Sequence, residues 1–273
     1  MSKLPNSRGL NRNFYRNGPD VRGGQDVSFA DIQREYNFYA VRIGRWVTPA
    51  EQQRAANLFY DALYDLSAWL QVPPQVISLQ GQLGLHFAIG GQRHSCAHYE
   101  PAARVLALAK NAGGGSLAHE WFHAYDDYIC THMFSQVKQL PSGAFASSTW
   151  LQQDYTPHPL NELLHKAFKA LYLNTSGDGP SDFMQHCLRV DQALGRVYFS
   201  MPEEMAARSF EHMLQLLPSK NYFLVSGTLQ SDTAQAGLYP PDTIQARFGA
   251  AILGYFHSLG AALQRREQRG VVK

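Results

Sequence analysis

Apolar positions recur at a helical period over most of the chain, and a stretch before residue 110 breaks that rhythm. Helical spacing predicts an element from Ser28 to Trp46, opened by SFADIQREYNFY. Thr48 and Pro49 then read as an N-cap and a first helical position. The helix they start runs to about Leu70, with Ala55, Leu58, Phe59, Ala62, Leu66 and Trp69 recurring along it. Pro73 and Pro74 end it. VISLQ, LGLHFAIGG and RVLALAK (residues 104–110) read as strands with Gly-rich or polar turns between them. Asn111 and three glycines lead to Ser116, a predicted N-cap, and to a helix from Leu117 to near Met133. Residues 139–161 hold Pro141, Gly143, Pro157 and Pro159 and read as a loop. Further helices are predicted from Asn161 to Leu173, through FMQHCLRVDQAL, from Ser200 onward, and through TIQARFGAAILGYFHSLGAALQRR. The pattern predicts a mixed α+β domain: N-terminal helices at 28–72, a small sheet and a central helix at 75–133, and a helical half at 161–263.

Composition adds limits. With 273 residues, 45% of them hydrophobic, the chain can bury one sizeable core, so residues 25–263 are read as one domain. The formal net charge of +2 is unevenly spread. Residues 1–24 carry a balance of +4 and read as a flexible basic arm; residues 264–273 carry +3 and read as a basic tail, which leaves the body at −5. Such ends can meet nucleic acid, but solvated tails are the favoured reading. Cys96, Cys130 and Cys187 form no C-x-x-C pair, so neither a disulfide framework nor a thiolate zinc knuckle is expected. FGAAILGYF is too short to span a bilayer and the N-terminus lacks a signal-peptide apolar run. A cytoplasmic protein without membrane association is expected.

The chemistry concentrates in GGGSLAHEWFHAYDDY, residues 113–128. On a helix, His119 and His123 project from one face one turn apart, close enough to hold one ion. Glu120 sits where a carboxylate can reach metal-bound water without ligating the metal. Leu117, Ala118, Trp121, Phe122, Ala124 and Tyr125 make this helix apolar nearly all round, which predicts burial. Two histidines and a glutamate inside a buried helix need partners, and Zn2+ supplies one. An open zinc site wants a third protein ligand. The best candidate lies in YFSMPEEMAARSFEHML, residues 198–214. Ser200 and Glu203 fit a capping box, which gives Glu203 a structural task and leaves Glu204 free as the ligand. Glu204, Ala207, Arg208 and Glu211 then share a face; Glu211 either supports the site from behind a ligand or pairs with Arg208. His186 and His212 read as ordinary helix residues, and His98 in AHYEP as a turn or sheet residue ahead of an extra ligand. AHYEP itself can line the cleft as an edge strand for an extended peptide. Gly113 to Gly115 lack the spacing of a phosphate-binding loop and read as close packing ahead of the helix.

HEWFHAYDDY followed by EMAARSFE resembles the catalytic pattern of zincin-fold metallopeptidases whose third ligand is a glutamate on a later helix. AHYEP, GGGSLAHEWFHAYDD and YFSMPEEMAARSFE, in this order, are similar to the metallopeptidase-like domain of phage and mobile-element polyvalent proteins. Small bacterial proteins of the chloride-channel-accessory type and, more distantly, anthrax lethal factor share parts of the pattern. The resemblance covers about residues 83–242. It implies a zincin-like, gluzincin-type fold and a zinc-dependent hydrolase acting on a peptide or protein. His119, His123 and Glu204 would be its metal ligands and Glu120 its general base. It also implies a catalytic Tyr198 that steadies the oxyanion, although the spacing to Glu204 is one residue shorter than in lethal factor and a core tyrosine ahead of a cap reads equally well. Asp126 and Asp127 match the family's acidic pair; either one orients a ligand histidine or both are solvated or capping acids. The alternative to an enzyme is a zinc-binding accessory module that docks on a protein or nucleic-acid partner.

Overall fold

The structure is a computed structural model that describes residues 9–89, 97–110, 115–135 and 143–271. Its first elements follow from local signals. Helix α1 (Phe29–Tyr36) opens with a reciprocal capping box between Ser28 and Asp31 and stops at Asn37, whose φ of 60° is left-handed. Strand β1 (Ala40–Ile43) follows at once. The single helix expected over 28–46 is therefore a helix and a strand: the left-handed cap breaks the period, and Val41 and Ile43 find partners in the sheet. Helix α2 (Pro49–Leu70) begins with a Thr48–Glu51 capping box and Pro49 in the first turn, as its sequence predicts.

VISLQ is not a strand. Pro74 starts a short helix α3 (Pro74–Ile77), and Leu79 and Gln80, both at φ 57°, turn the chain toward β2 (Gly84–Phe87). Strands β3 (Ala97–Glu100) and β4 (Val105–Leu108) complete a four-stranded sheet in the order β1-β2-β4-β3. β2 runs parallel to β1 and β4, while β3 lies antiparallel on β4 at the edge, with His98 opposite Ala107. All four residues of β4 are buried.

Helix α4 (Leu117–Met133) crosses the middle of the molecule, as its apolar circumference predicts. After it come α5 (Ala146–Thr149), α6 (Pro159–Tyr172), α7 (Asp182–Leu194), α8 (Pro202–Leu216), α9 (Asp232–Gln235) and α10 (Asp242–Val271). α5 falls inside the stretch expected as loop, of which residues 139–142 lie outside the described residues. α4 and α8 join through aromatic packing: the Phe122 and Phe210 rings stack at 4.6 Å, and Trp121 lies 5.6 Å from Phe210 and 5.9 Å from Phe256 of α10. The Trp121 indole N–H, fully buried, donates to Ile77 O at 2.9 Å.

Both ends depart from the sequence reading. Residues 9–24 are strapped to the body: Leu10 is buried, Arg16 pairs with Asp65 at 2.7 Å, Arg22 pairs with Asp61 at 2.9 Å, and Tyr222 N donates to Tyr15 O. Asp65 is a buried carboxylate on α2 and needs a cation, which is why this arm lies down. Residues 1–8 lie outside the described residues. At the other end, Arg265, Arg266 and Arg269 are exposed positions of α10, which continues through Val271 rather than giving way to a separate tail. α10 approaches the end of α2 so closely at Gly260 that a Cβ there would lie 2.0 Å from Gln71 O.

Candidate metal centre

The site forms where the first turns of α4 and α8 face each other. Ser116 stands at the N-cap position of α4, yet its side chain makes no capping bond. The helix start is tied instead to residues 221–226: Ala118 N donates to Leu224 O at 3.0 Å, and Gly115 exchanges backbone bonds with Phe223 and Ser226. Gly115 has φ 115°, and a Cβ there would lie 2.1 Å from Ser226 Oγ, so the close packing expected of the glycines holds at this position. Gly113 and Gly114 lie outside the described residues, as does Cys96.

At α8 the expected capping box is absent. Met201 takes the N-cap position. Ser200 Oγ donates to Asp191 at 2.6 Å, and Glu203 accepts from Ser148 Oγ on α5. Asp191 also accepts from the backbone N–H groups of Tyr198, Phe199 and Ser200, so a buried acid of α7 outcompetes the local cap. Pro202 still begins the helix, and Glu204 still turns away from Glu203's task.

His119, His123 and Glu204 come together, their potential ligand atoms all within 4.8 Å of one another. The two histidine Nε2 atoms are 3.1 Å apart. Glu204 Oε2 lies 3.4 Å from His119 Nε2, and its Oε1 lies 3.5 Å from His123 Nε2. The set is buried or nearly so, and among the described residues Glu204 Oε2, one of the atoms that face the shared point, has no hydrogen-bond partner. Burial by itself would lower the pKa of His119, but the carboxylates of Glu211, Glu204 and Glu120 outweigh it and favour the protonated ring. Burial would raise that of Glu204, and the two histidines reverse the effect. The arrangement can therefore hold a cation, as these three donors stand ready around one point.

Glu120 is beside this point with one oxygen already engaged: Tyr99 N, on edge strand β3, donates to its Oε2 at 2.9 Å. Burial raises the Glu120 pKa, and the neighbouring histidines partly offset that. Tyr198 lies at the rim, 40% exposed as a residue; burial of its phenol first, then the charge and hydrogen bond of Glu204, raise its pKa. Glu211 takes the supporting position: its Oε1 is 3.4 Å from His119 Nδ1 and accepts from the Tyr239 hydroxyl at 2.8 Å. Arg208, buried, lies 3.8 Å from Glu204 and ties the walls together by donating to Leu238 O and Phe199 O.

The acidic pair acts elsewhere. Asp126 caps α5 by accepting from Ser147 N at 2.9 Å and from its hydroxyl, and Asp127 accepts from the Tyr99 hydroxyl at 2.5 Å. Both are anchors of what surrounds α4. His98 stays in the sheet beside His86, and His186 and His212 stay in α7 and α8, where His186 bonds Ala236 O. Tyr239 and the Tyr99 backbone N–H were not foreseeable as parts of the site, since neither belongs to a motif.

The family model of large polyvalent protein-associated domain 1 matches residues 190–263. No curated protein and no solved structure matches the chain. The matched stretch begins inside α7 and ends inside α10. It contains Asp191, Tyr198, Glu204, Arg208, Glu211 and Tyr239, whereas His119, Glu120 and His123 precede it. The described residues contain no helix long and apolar enough to cross a membrane.

Proposed function

We propose that this chain is a zinc-dependent metallopeptidase of zincin-like fold that hydrolyses a peptide bond of a protein or peptide substrate. The observation that carries the reading is the spacing of the three donors. Ligand atoms set tetrahedrally at 2.0–2.1 Å from zinc stand about 3.3 Å from each other. The separations of 3.1, 3.4 and 3.5 Å between His119, His123 and Glu204 fall around that figure. Two imidazoles with one carboxylate suit zinc better than calcium or magnesium, which prefer all-oxygen sets. They also leave a fourth position free, as catalytic zinc sites do.

A bound zinc would supply Lewis acidity and lower the pKa of a water molecule in that fourth position. The rest of the work falls to the chain. Glu120 takes the proton of the attacking water: the Tyr99 N–H fixes one carboxylate oxygen, and the other is the one proposed to take the proton. The carboxyl then returns that proton to the leaving amine. Tyr198, held by the Asp191-capped turn, offers its phenol to the developing oxyanion. Edge strand β3 stands next to Glu120 and can align an extended substrate backbone.

The test is to measure bound metal and to profile cleavage of a mixed peptide library with wild type and Glu120→Gln. The expected result is about one zinc per chain in both proteins and cleavage only by the wild type. Equal cleavage by the variant would sink the mechanism. The similarity to a polyvalent-protein-associated domain favours a second reading, a zinc-stabilised module that binds a partner without cutting. Metal in both proteins with cleavage by neither would select it. Docking through the basic arm finds little support, because Arg16 and Arg22 are already paired with Asp65 and Asp61.

A further inference from the structure

A second concavity lies against α4 on the side away from His119 and His123. It is a half-open pocket of about 480 Å³ between α4, the start of α6 and the C-terminal half of α10. That volume is within the usual range for small-molecule sites. Its walls are chiefly apolar: Val76, Leu79, Ile129, Leu160, Leu259 and Leu263 line it. Tyr125 and Tyr255 also line it, and their hydroxyls share one hydrogen bond at 2.6 Å, so this part of the wall offers a ligand mainly hydrocarbon contact.

The polar lining has one electrical sense. Arg266 is the permanent charge, on an exposed position of α10, and forms no ion pair among the described residues. His158 and His132 line the same pocket, and His132 spends its Nδ1–H on Tyr128 O of its own helix. His158 Nδ1 accepts from Leu160 N, which places the proton of the neutral ring on Nε2 as a donor. None of the lining residues is an acid. Glu267 borders the adjoining shallow opening with Gln80, Leu263 and Arg266, but neighbours in sequence on a helix do not face each other.

We infer that this pocket binds a single-chain amphiphile bearing one negative charge, with a medium-length acyl chain against the apolar walls and a carboxylate at Arg266. A single permanent cation with the His158 Nε2–H as a donor beside it matches a monoanion. A doubly charged phosphate would call for a second permanent cation. The site is separate from the proposed zinc position and does not depend on it, although it abuts the same helix: Tyr125, Tyr128, Ile129 and His132 wall the pocket, and His119, Glu120 and His123 point the other way.

Isothermal titration of the full chain with decanoate, below its micelle concentration, tests this, with decanol as the uncharged match. The series is run both after chelation and with added zinc. Expected are one saturable site for decanoate in both metal conditions and weaker binding of decanol. Arg266→Gln is expected to weaken decanoate about tenfold and leave decanol unchanged, because only a charge-assisted contact is lost. Leu263→Trp, at the partly exposed mouth, is expected to abolish binding of both, and its melting temperature reports that it has folded. The inference is overturned if wild type shows no saturable binding, if decanol binds as tightly as decanoate, or if Arg266→Gln binds decanoate like wild type.

Discussion

Zinc should raise the thermal stability of the chelated protein, and the increase should vanish when the donors are removed. Without an ion, the centre is a costly arrangement. Glu211, Glu204 and Glu120 all act on His119, and Glu204 Oε2 lacks a hydrogen-bond partner among the described residues. An ion that binds only the folded state stabilises it by about 2.7 kcal/mol when its free concentration is a hundred times Kd. For a chain of this size each kcal/mol moves the midpoint by about 2 °C, so a rise of about 5 °C is expected. The assay is a melt of chelator-stripped protein with and without zinc held by a metal buffer, followed by circular dichroism. His119→Ala/His123→Ala should melt at the same temperature in both conditions. Glu204→Gln should keep only part of the shift, since two imidazoles remain. An unshifted wild type, or a double variant that shifts equally, would refute the reading of these residues as a metal centre.

Glu211→Gln should weaken zinc binding about 10–100-fold without removing a ligand, because Glu211 orients the His119 ring from Nδ1; competition with a chromogenic chelator measures it, and Tyr239→Phe should give a smaller loss in the same direction. Asp126 gives a pH signature: its burial outweighs the bonds from Ser147 and lifts its pKa to about 7. Its raised value means that its stabilising contribution is complete below the unfolded value of about 3.9 and is lost as pH rises through about 7. Asp126→Asn should therefore flatten the decline in melting temperature between about pH 4 and about pH 7, the interval those two values span. A variant that declines as steeply as wild type would remove Asp126 from the account. Arg16→Ala leaves the buried Asp65 with Asn221 as its remaining donor, so urea unfolding should show a loss of about 2–3 kcal/mol, below the cost of breaking a fully buried pair. A loss under about 0.5 kcal/mol would mean that the strap contributes nothing.

How much of this molecule can be read before it folds depends on how local the deciding forces are. Thr48, Pro49 and the apolar stripe after them specify α2, since cap and period act within a few residues. The same holds for α4: an apolar circumference around His119, Glu120 and His123 predicts both its burial and its helical register. Those three residues carry their meaning in one turn. The fold class and the pairing of His119 and His123 with Glu204 rest on such signals, extended by a resemblance.

Other features were decided by contacts that no local pattern contains. The Ser200–Glu203 capping box has the right spacing, yet Asp191 on a different helix binds Ser200 and Ser148 binds Glu203. VISLQ has strand composition, but Pro74 and the left-handed pair Leu79 and Gln80 turn it into a short helix that receives the Trp121 indole. Arg16 and Arg22 read as part of a loose basic arm because their partners, Asp65 and Asp61, lie 49 and 39 residues away. Tyr239 and the Tyr99 N–H join the site for the same reason, and packing likewise chose between the two roles open to Glu211. Sequence alone determined the longer helices such as α2 and α4 and the metal-ligating residue types they carry, because caps, periods and donor types are short-range properties. The tertiary structure decided which buried charge meets which partner, because a desolvated carboxylate takes whatever donor packing brings to it, from any distance along the chain.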